Sequence, residues 1–352
     1  MDLRNSSLKG KKVLVTGHTG FKGAWFSHLL HELGALVFGI SLPPEGNKNL
    51  YTQAQISELM TAEYFIDIRN YDDLRNTLDL IRPEYVFHLA AQSLVLQSYR
   101  QPLDTFSTNI LGTANLLEIL LHHELLYGVT IVTTDKVYKN NEWIWPYREN
   151  EELGGKDPYS ASKAAAEMIV HSLGSSFNKN LIPIATARAG NVVGGGDWAV
   201  ERLVPDLVRA INSQTPIAIR YPTATRPWQH VLDCLYGYLL IADFHISKKY
   251  SNLLENYNFG PESSISVTKV IRIIESCYGL KINFTVSSPT LHEHASLVLD
   301  STKARTTLGW LPWFSSEEAI RNTALWYQNE HSHFNAKELM RNEISSYLDS
   351  RQ

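Results

Sequence analysis

Only two cysteines occur in the 352 residues, Cys234 and Cys277, far apart and with no second cysteine or histidine at zinc-ligand spacing, so neither a disulfide framework nor a metal site is expected. No block of like charge appears either. The 32 basic residues stand against 36 acidic ones for a formal net charge of -4, which gives no reason to expect nucleic acid as a partner. No apolar run is long enough to span a bilayer, and the start, Met1-Asp2-Leu3-Arg4-Asn5-Ser6-Ser7, is polar without a signal-like core. The expectation is a soluble, cytoplasmic protein that touches no membrane. Internal repeats and low-complexity tracts are also missing.

What is present is a composition suited to a large core, 44% hydrophobic and 19% charged. Val13 to Gly17 reads as a short buried strand stopped by glycine, Phe21 to Leu33 as a helix, and Ala35 to Ile40 as a second strand, together a βαβ unit. Alternation continues with strand candidates at Tyr64-Phe65-Ile66, Tyr85 to Leu89 and Thr130 to Thr133, and helices over Tyr71 to Ile81 and Ile110 to Leu121. The fold class is therefore α/β: a Rossmann-type doubly wound parallel sheet with a smaller C-terminal substrate-binding lobe. After about Gly194 glycines and prolines interrupt shorter elements. The division expected is a dinucleotide-binding domain over 1–190 and a mainly substrate-binding lobe over 191–352, with segments able to return to the sheet.

The turn Gly17-His18-Thr19-Gly20-Phe21-Lys22-Gly23 has G-x-x-G-x-x-G spacing between a strand and a helix, where a backbone free of side chains can approach a pyrophosphate at the helix N-terminus. An ordinary tight turn shares that spacing, but the flanking strand and helix favour a dinucleotide. The acidic residue that usually reads the adenosine ribose falls about twenty residues further on, where this chain reads Ser41-Leu42-Pro43-Pro44. No arginine for a 2′-phosphate stands there either, so NAD against NADP is left open, with hydroxyls or backbone as ribose contacts. Asp67-Ile68 follows the third strand, as an acceptor for the adenine amine or as a helix-leading loop aspartate.

Tyr159 and Lys163 are four residues apart at the start of a helical stretch and share one face. A lysine cation lowers the pKa of a neighbouring phenol, making Tyr159 a base for a sugar hydroxyl. Such a pair is common on solvated helices. Here it follows Thr134 at the C-terminal edge of the sheet, where ligands of these folds bind, with Asp135 and Lys136 projecting from the same strand end.

With His88-Leu89-Ala90-Ala91-Gln92, Asn109 and Arg188-Ala189-Gly190-Asn191, these residues resemble the extended short-chain dehydrogenases. More narrowly, the turn, Thr134-Asp135-Lys136, Gly194-Gly195-Gly196-Asp197-Trp198 and Arg226 to Val231 resemble CDP-glucose 4,6-dehydratases from about residue 8 to about residue 330. The resemblance implies NAD held by Gly17, Thr19, Gly20, Phe21, Lys22, Gly23, Asp67, Ile68, Leu89, Ala90, Ala91, Asn109, Tyr159 and Lys163. It implies oxidation at C4 with Tyr159 as base, loss of water across C5 and C6, and hydride return to C6, in deoxysugar supply for lipopolysaccharide O-antigen. Asp135 would protonate the departing C6 hydroxyl and Lys136 would take the C5 proton. Gln92, Ser93, Asn191, Leu203, Arg220 and Arg226 would meet the nucleotide sugar, with Arg226 the pyrophosphate candidate.

One departure bears on substrate. The family usually has an arginine where this chain has Leu96, and a leucine donates to neither hydroxyl nor phosphate. A 4-epimerase or C4 dehydrogenase is the alternative enzyme, although neither needs an acid and base at 135 and 136. A non-catalytic NAD-binding regulator is the alternative of another class, and it predicts a broken Thr134, Tyr159 and Lys163 set. Family habit implies a homodimer through Ile110 to Leu121 and Ala161 to Leu173.

Overall fold

The computed structural model describes residues 5–46, 48–287, 297–330 and 335–351. Met1 to Arg4 of the polar start lie outside the described residues. Seven strands form one sheet: β1 Lys12–Thr16, β2 Leu36–Ser41, β3 Ala62–Phe65, β4 Tyr85–His88, β5 Gly128–Val132, β6 Ile184–Ala189 and β7 Leu254–Phe259. All pairings are parallel, in the order β7-β6-β5-β4-β1-β2-β3. Strand order reverses between β1 and β4, so the carboxyl ends of those strands open the crevice where ligands of doubly wound sheets bind.

Both sheet faces are covered, which explains why β1, β2, β4 and β5 are largely apolar rather than alternating. Along β1, Val13 and Val15 join one core while Leu14 joins the other. The first core packs α1 (Phe21–Glu32) and the helix Val231–Ile246 on the sheet through Trp25, Phe26, Leu235 and Leu239. The second packs α2 (Tyr71–Ile81), α3 (Gly112–Leu120) and α4 (Pro158–Ser176) through Leu74, Leu78, Leu116, Leu117 and Val170. α2 has the expected bounds and an Asn70 cap whose side chain accepts from the Asp73 amide.

Two expectations shift. The third strand runs Ala62–Phe65 and so ends before Ile66, while the helix expected from Ile110 begins at Gly112 after a π-helical turn over Ser107–Leu111. Such a turn inserts one residue into the helical register and is frequent at functional sites; here it carries the buried Asn109. β7 is drawn from the C-terminal half of the chain and pairs with β6 from Leu254↔Ile184 to Phe259↔Ala189.

The C-terminal helix Ala336–Asp349 closes the first core through a single carboxylate. Asp233, fully buried, accepts from the amides of Trp313 (2.7 Å) and Phe314 (3.0 Å), the Tyr347 hydroxyl (2.8 Å) and Arg351 (3.0 Å). Removing one partner of a buried, hydrogen-bonded charge strands the others, at a cost of roughly 3–5 kcal/mol. Asp233→Ala is expected to lower the urea-unfolding free energy by that amount, and a loss under about 1 kcal/mol would show that this clasp is dispensable.

Candidate active site

Gly17 starts the turn off β1 at φ +75°, and a Cβ there would lie 2.7 Å from the Ala90 amide nitrogen. At Gly23 a Cβ would lie 2.0 Å from the Gly17 carbonyl oxygen, so helix and turn touch backbone to backbone. Gly20 differs: the nearest atom to a Cβ would be 3.4 Å away, and it caps α1 without a side-chain hydrogen bond. Phe21, Lys22 and Gly23 thus form a first turn with no capping side chain in front of it, a cradle that fits a pyrophosphate. NAD fits this chain on that ground.

At the adenosine end, the Thr19 hydroxyl lies 2.7 Å from that of Ser41, the last residue of β2. Asp67 is held below the usual carboxylate range by Arg69, which binds it through Nε and Nη2, and Arg69 also binds Asp104. Its neighbour Ile68 is buried, and its side chain fills the place a Cβ on Gly112 would take, 2.5 Å away.

The Leu89 and Ala90 amides both donate to the Thr16 hydroxyl at 3.2 Å, fixing the end of β4 beside the turn, with Ala91 next in the chain. His88 bridges Thr16 (2.7 Å) and Thr113 (3.0 Å), and burial pushes its pKa down to about 3, so it braces as a neutral ring. Asn109 accepts from the Gln92 amide (2.8 Å) and donates to the Gln92 carbonyl (3.0 Å) and the Ser162 hydroxyl (2.8 Å). It therefore ties the loop after β4 to α4. The Gln92 side chain is spent locally, on Thr105 (2.8 Å) and the backbone of Leu94.

On α4, Asp157 accepts from the Ser160 amide and Pro158 opens the helix, which sets Tyr159 and Lys163 in its first two turns. Both are buried. The expected lowering of the phenol is not what this structure has: burial pushes Tyr159 up to about 12, with the Thr134 hydroxyl beside it opposing the shift. Lys163 donates to the Val132 carbonyl at 3.1 Å, and burial followed by repulsion from Lys22 pushes it down to about 7. Desolvation outweighs the attraction expected from helical spacing.

Thr134 donates to Asp135 Oδ1 at 3.0 Å. Asp135 is buried, and burial raises its carboxyl despite the opposing charges of Lys136 and Arg226. Its Oδ2 would lie 3.1 Å from a Cβ on Gly190, which a Cβ would also set 3.2 Å from Pro227 Cγ. The Asn191 carbonyl accepts from the Gln229 amide at 2.9 Å, so Asn191 and the Arg226-Pro227 segment are drawn to the same wall. Lys136 lines a cavity of about 230 Å³ with Tyr138, Lys139, Asn140, Lys156 and Ser160 among others. Leu203 begins the helix Leu203–Ser213, and Arg220 follows the short strand Ile217–Ile219, which pairs with Phe284–Val286.

Two residues here escaped sequence reasoning. Arg202 binds Asp197 (2.7 Å) and Ser93 (3.2 Å), and its charge bears on Tyr159 and Lys22; a lone arginine before a helix gave no signal. Glu167 accepts from Arg188, Thr133 and Thr186; its place four residues after Lys163 was the only available cue.

Residues 14–323 match the family model for GDP-mannose 4,6 dehydratase. The chain is 40% identical over 329 residues to the CDP-glucose 4,6-dehydratase of Salmonella typhimurium, covering 91% of each. It is 26% identical to the dTDP-glucose 4,6-dehydratase of Haemophilus influenzae, covering 90% of this chain and 97% of that one. Among solved structures, a UDP-glucose 4-epimerase of Thermotoga maritima with UDP-glucose superposes with a TM-score of 0.80 at 24% identity, covering 91% of this chain and 99% of that one. One of Stenotrophomonas maltophila, with bound NAD and formylated UDP-arabinopyranose, gives 0.81 at 21% identity, covering 92% and 100%. These two show the fold.

The electrostatics of the buried pair are open to direct measurement. In a sample labelled at lysine Cε, one NMR resonance, lost in Lys163→Met, is expected to titrate near pH 7. Lys22→Met removes a like charge and moves that midpoint up. A Lys163 midpoint above about 9 would mean that the ammonium is paired and hydrated as an ordinary lysine is.

Proposed function

This chain belongs to the NAD-dependent nucleotide-sugar 4,6-dehydratases of the extended short-chain dehydrogenase type, which are hydro-lyases, and we propose that its substrate is CDP-glucose and its product CDP-4-keto-6-deoxyglucose. One observation carries the reading beyond family membership: a buried carboxyl, Asp135, raised by desolvation and hydrogen-bonded to Thr134 beside Tyr159. An epimerase needs the hydroxyls of Thr134 and Tyr159 but has no use for an acid poised at C6. An intact Thr134, Tyr159 and Lys163 set likewise speaks against a non-catalytic regulator.

Bound in the cradle of Gly17 to Gly23, NAD supplies the acceptor for a hydride from C4 and its donor to C6. Tyr159 and Thr134 receive the C4 hydroxyl, Thr134 orienting it and Tyr159, once its own proton has been released to solvent, taking the hydroxyl's proton as phenolate. Asp135, whose dry surroundings favour its protonated form, gives its proton to the departing C6 hydroxyl. Lys136, as the free amine, is the base for C5, and Lys163 acts on Tyr159 in its ammonium form. Asn191 and Arg226, with Ser93, Leu203 and Arg220, hold the nucleotide diphosphate. Arg202 on Ser93 supplies a cation near the place where Leu96 departs from the family, which supports an unchanged anionic substrate. The product suits deoxysugar supply to a surface polysaccharide.

A homodimer and a cytoplasmic setting complete the proposal. Leu103, Leu111 and Met168 are exposed, at 80, 50 and 55%, on the adjoining segments Pro102–Leu111 and α4, an apolar face suited to a four-helix contact. Among the described residues no helix is long and apolar enough to cross a membrane.

Incubation with NAD and, separately, CDP-glucose, dTDP-glucose, UDP-glucose and GDP-mannose is expected to give a mass loss of one water with CDP-glucose. Asp135→Asn should cut that loss by roughly 10²-fold or more while the nucleotide sugar still binds; unchanged mass with an inverted C4 would favour the epimerase. By sedimentation, Leu111→Arg with Met168→Arg should convert dimer to monomer, and an unaltered mass would move the interface elsewhere.

A further inference from the structure

The adenosine end of the cradle lacks the carboxylate that normally reads the ribose, and the structure supplies a replacement with a definite hydrogen-bond polarity. Thr19 Oγ1 donates to the Leu42 carbonyl at 3.1 Å. Its single proton is thereby used. The 2.7 Å contact between Thr19 Oγ1 and Ser41 Oγ then takes its proton from Ser41. Both hydroxyl protons are consumed inside the pair, which leaves two lone pairs on Ser41 and one on Thr19. A group so arranged accepts and does not donate.

We propose that the Thr19–Ser41 pair is the ribose reader of this protein, a neutral, acceptor-only substitute for a carboxylate that favours NAD over NADP by hydrogen-bond polarity rather than by charge. This rests on the dinucleotide reading of the glycine turn. A ribose 2′-hydroxyl donates and finds acceptors. A 2′-phosphate offers only acceptor oxygens and meets three lone pairs with no proton between them. The placement supports the assignment: Ser41 is buried at the carboxyl end of β2, in register with Phe65 of β3, and Thr19 belongs to the cradle itself. Discrimination by a carboxylate would weaken as salt screens it; discrimination by this pair does not.

Calorimetry on protein stripped of nucleotide, titrated with NAD and with NADP at low and high salt, tests the proposal. Wild type is expected to prefer NAD by a ratio that changes less than about twofold between roughly 0.05 and 0.5 M salt. Ser41→Ala should weaken NAD about 5- to 10-fold with little change for NADP. Thr19→Val frees the Ser41 proton and should tighten NADP, while Thr19→Ser, which keeps the hydroxyl, should match wild type. Ser41→Asp should widen the preference and make it fall with salt. The proposal is overturned if Ser41→Ala and Thr19→Val leave NAD affinity unchanged, if they weaken both nucleotides alike, or if the wild-type ratio collapses at high salt. Binding of neither nucleotide to wild type would remove the dinucleotide reading as well, whereas tight NAD binding indifferent to both substitutions would remove this inference alone.

Discussion

A buried carboxylate holds the helix of Tyr159 and Lys163 in register with the sheet. Glu167 takes two charged hydrogen bonds from Arg188, at 2.8 and 2.6 Å, one from Thr133 at 2.5 Å and one from Thr186 at 3.0 Å. Arg188 in turn donates to the Tyr138 hydroxyl (2.7 Å) and the Glu149 carbonyl (3.0 Å), and Tyr138 donates to Asn258 on β7 at 2.8 Å. One ion pair therefore links α4, which carries Tyr159 and Lys163, to β5, β6, β7 and the loop after Lys136. A fork-to-carboxylate pair has a fixed plane and distance. Buried pairs repay their desolvation only when their remaining lone pairs and protons are used, and here both partners spend theirs on the segments they must align.

That packing sets the chemistry. Tyr159, Lys163 and Asp135 are all driven by burial toward their uncharged forms. Dry surroundings of this kind have a low local dielectric, so any charge formed among these groups acts strongly. The raised carboxyl at 135 follows from its burial, against which the Thr134 hydrogen bond works. A larger residue at 190 would push against Asp135 itself.

The first part of the sheet could be read in the sequence because β1, β2, β4 and β5 are short, largely apolar runs, and Tyr71 to Ile81 was legible to the residue; β6 (IATARA) and β7 (LENYNF), whose polar residues break such a run, were not. The π-helical turn at Ser107–Leu111 was not, because its cause is tertiary, Asn109 being tied to Gln92 and Ser162. The glycine turn and Thr134 to Lys163 were legible as residue types at spacings chemistry requires. Glu167 and Arg202 were not: the partners of Glu167 lie 19 to 34 positions away and those of Arg202 lie 5 and 109 positions away, so no local pattern marks either residue. The direction of the Tyr159 shift was misread for a related reason: helical spacing reports that two side chains share a face, but only the packed structure reports how dry that face is.

The cofactor cradle and the reacting phenol are parts of one contact chain. The turn at Gly17 lies against Ala90, close enough that a Cβ would come within 2.7 Å of its amide nitrogen. Two residues on, Gln92 is held by Asn109, Asn109 by Ser162, and the Ser162 hydroxyl donates to the Tyr159 carbonyl at 2.7 Å. Each link is short, buried or half-buried, and built on backbone or on a side chain of few rotamers, so little freedom accumulates along it. A displacement at the glycine turn is therefore passed along toward Tyr159, so the tight Gly17 approach references the phenol to the backbone of the turn.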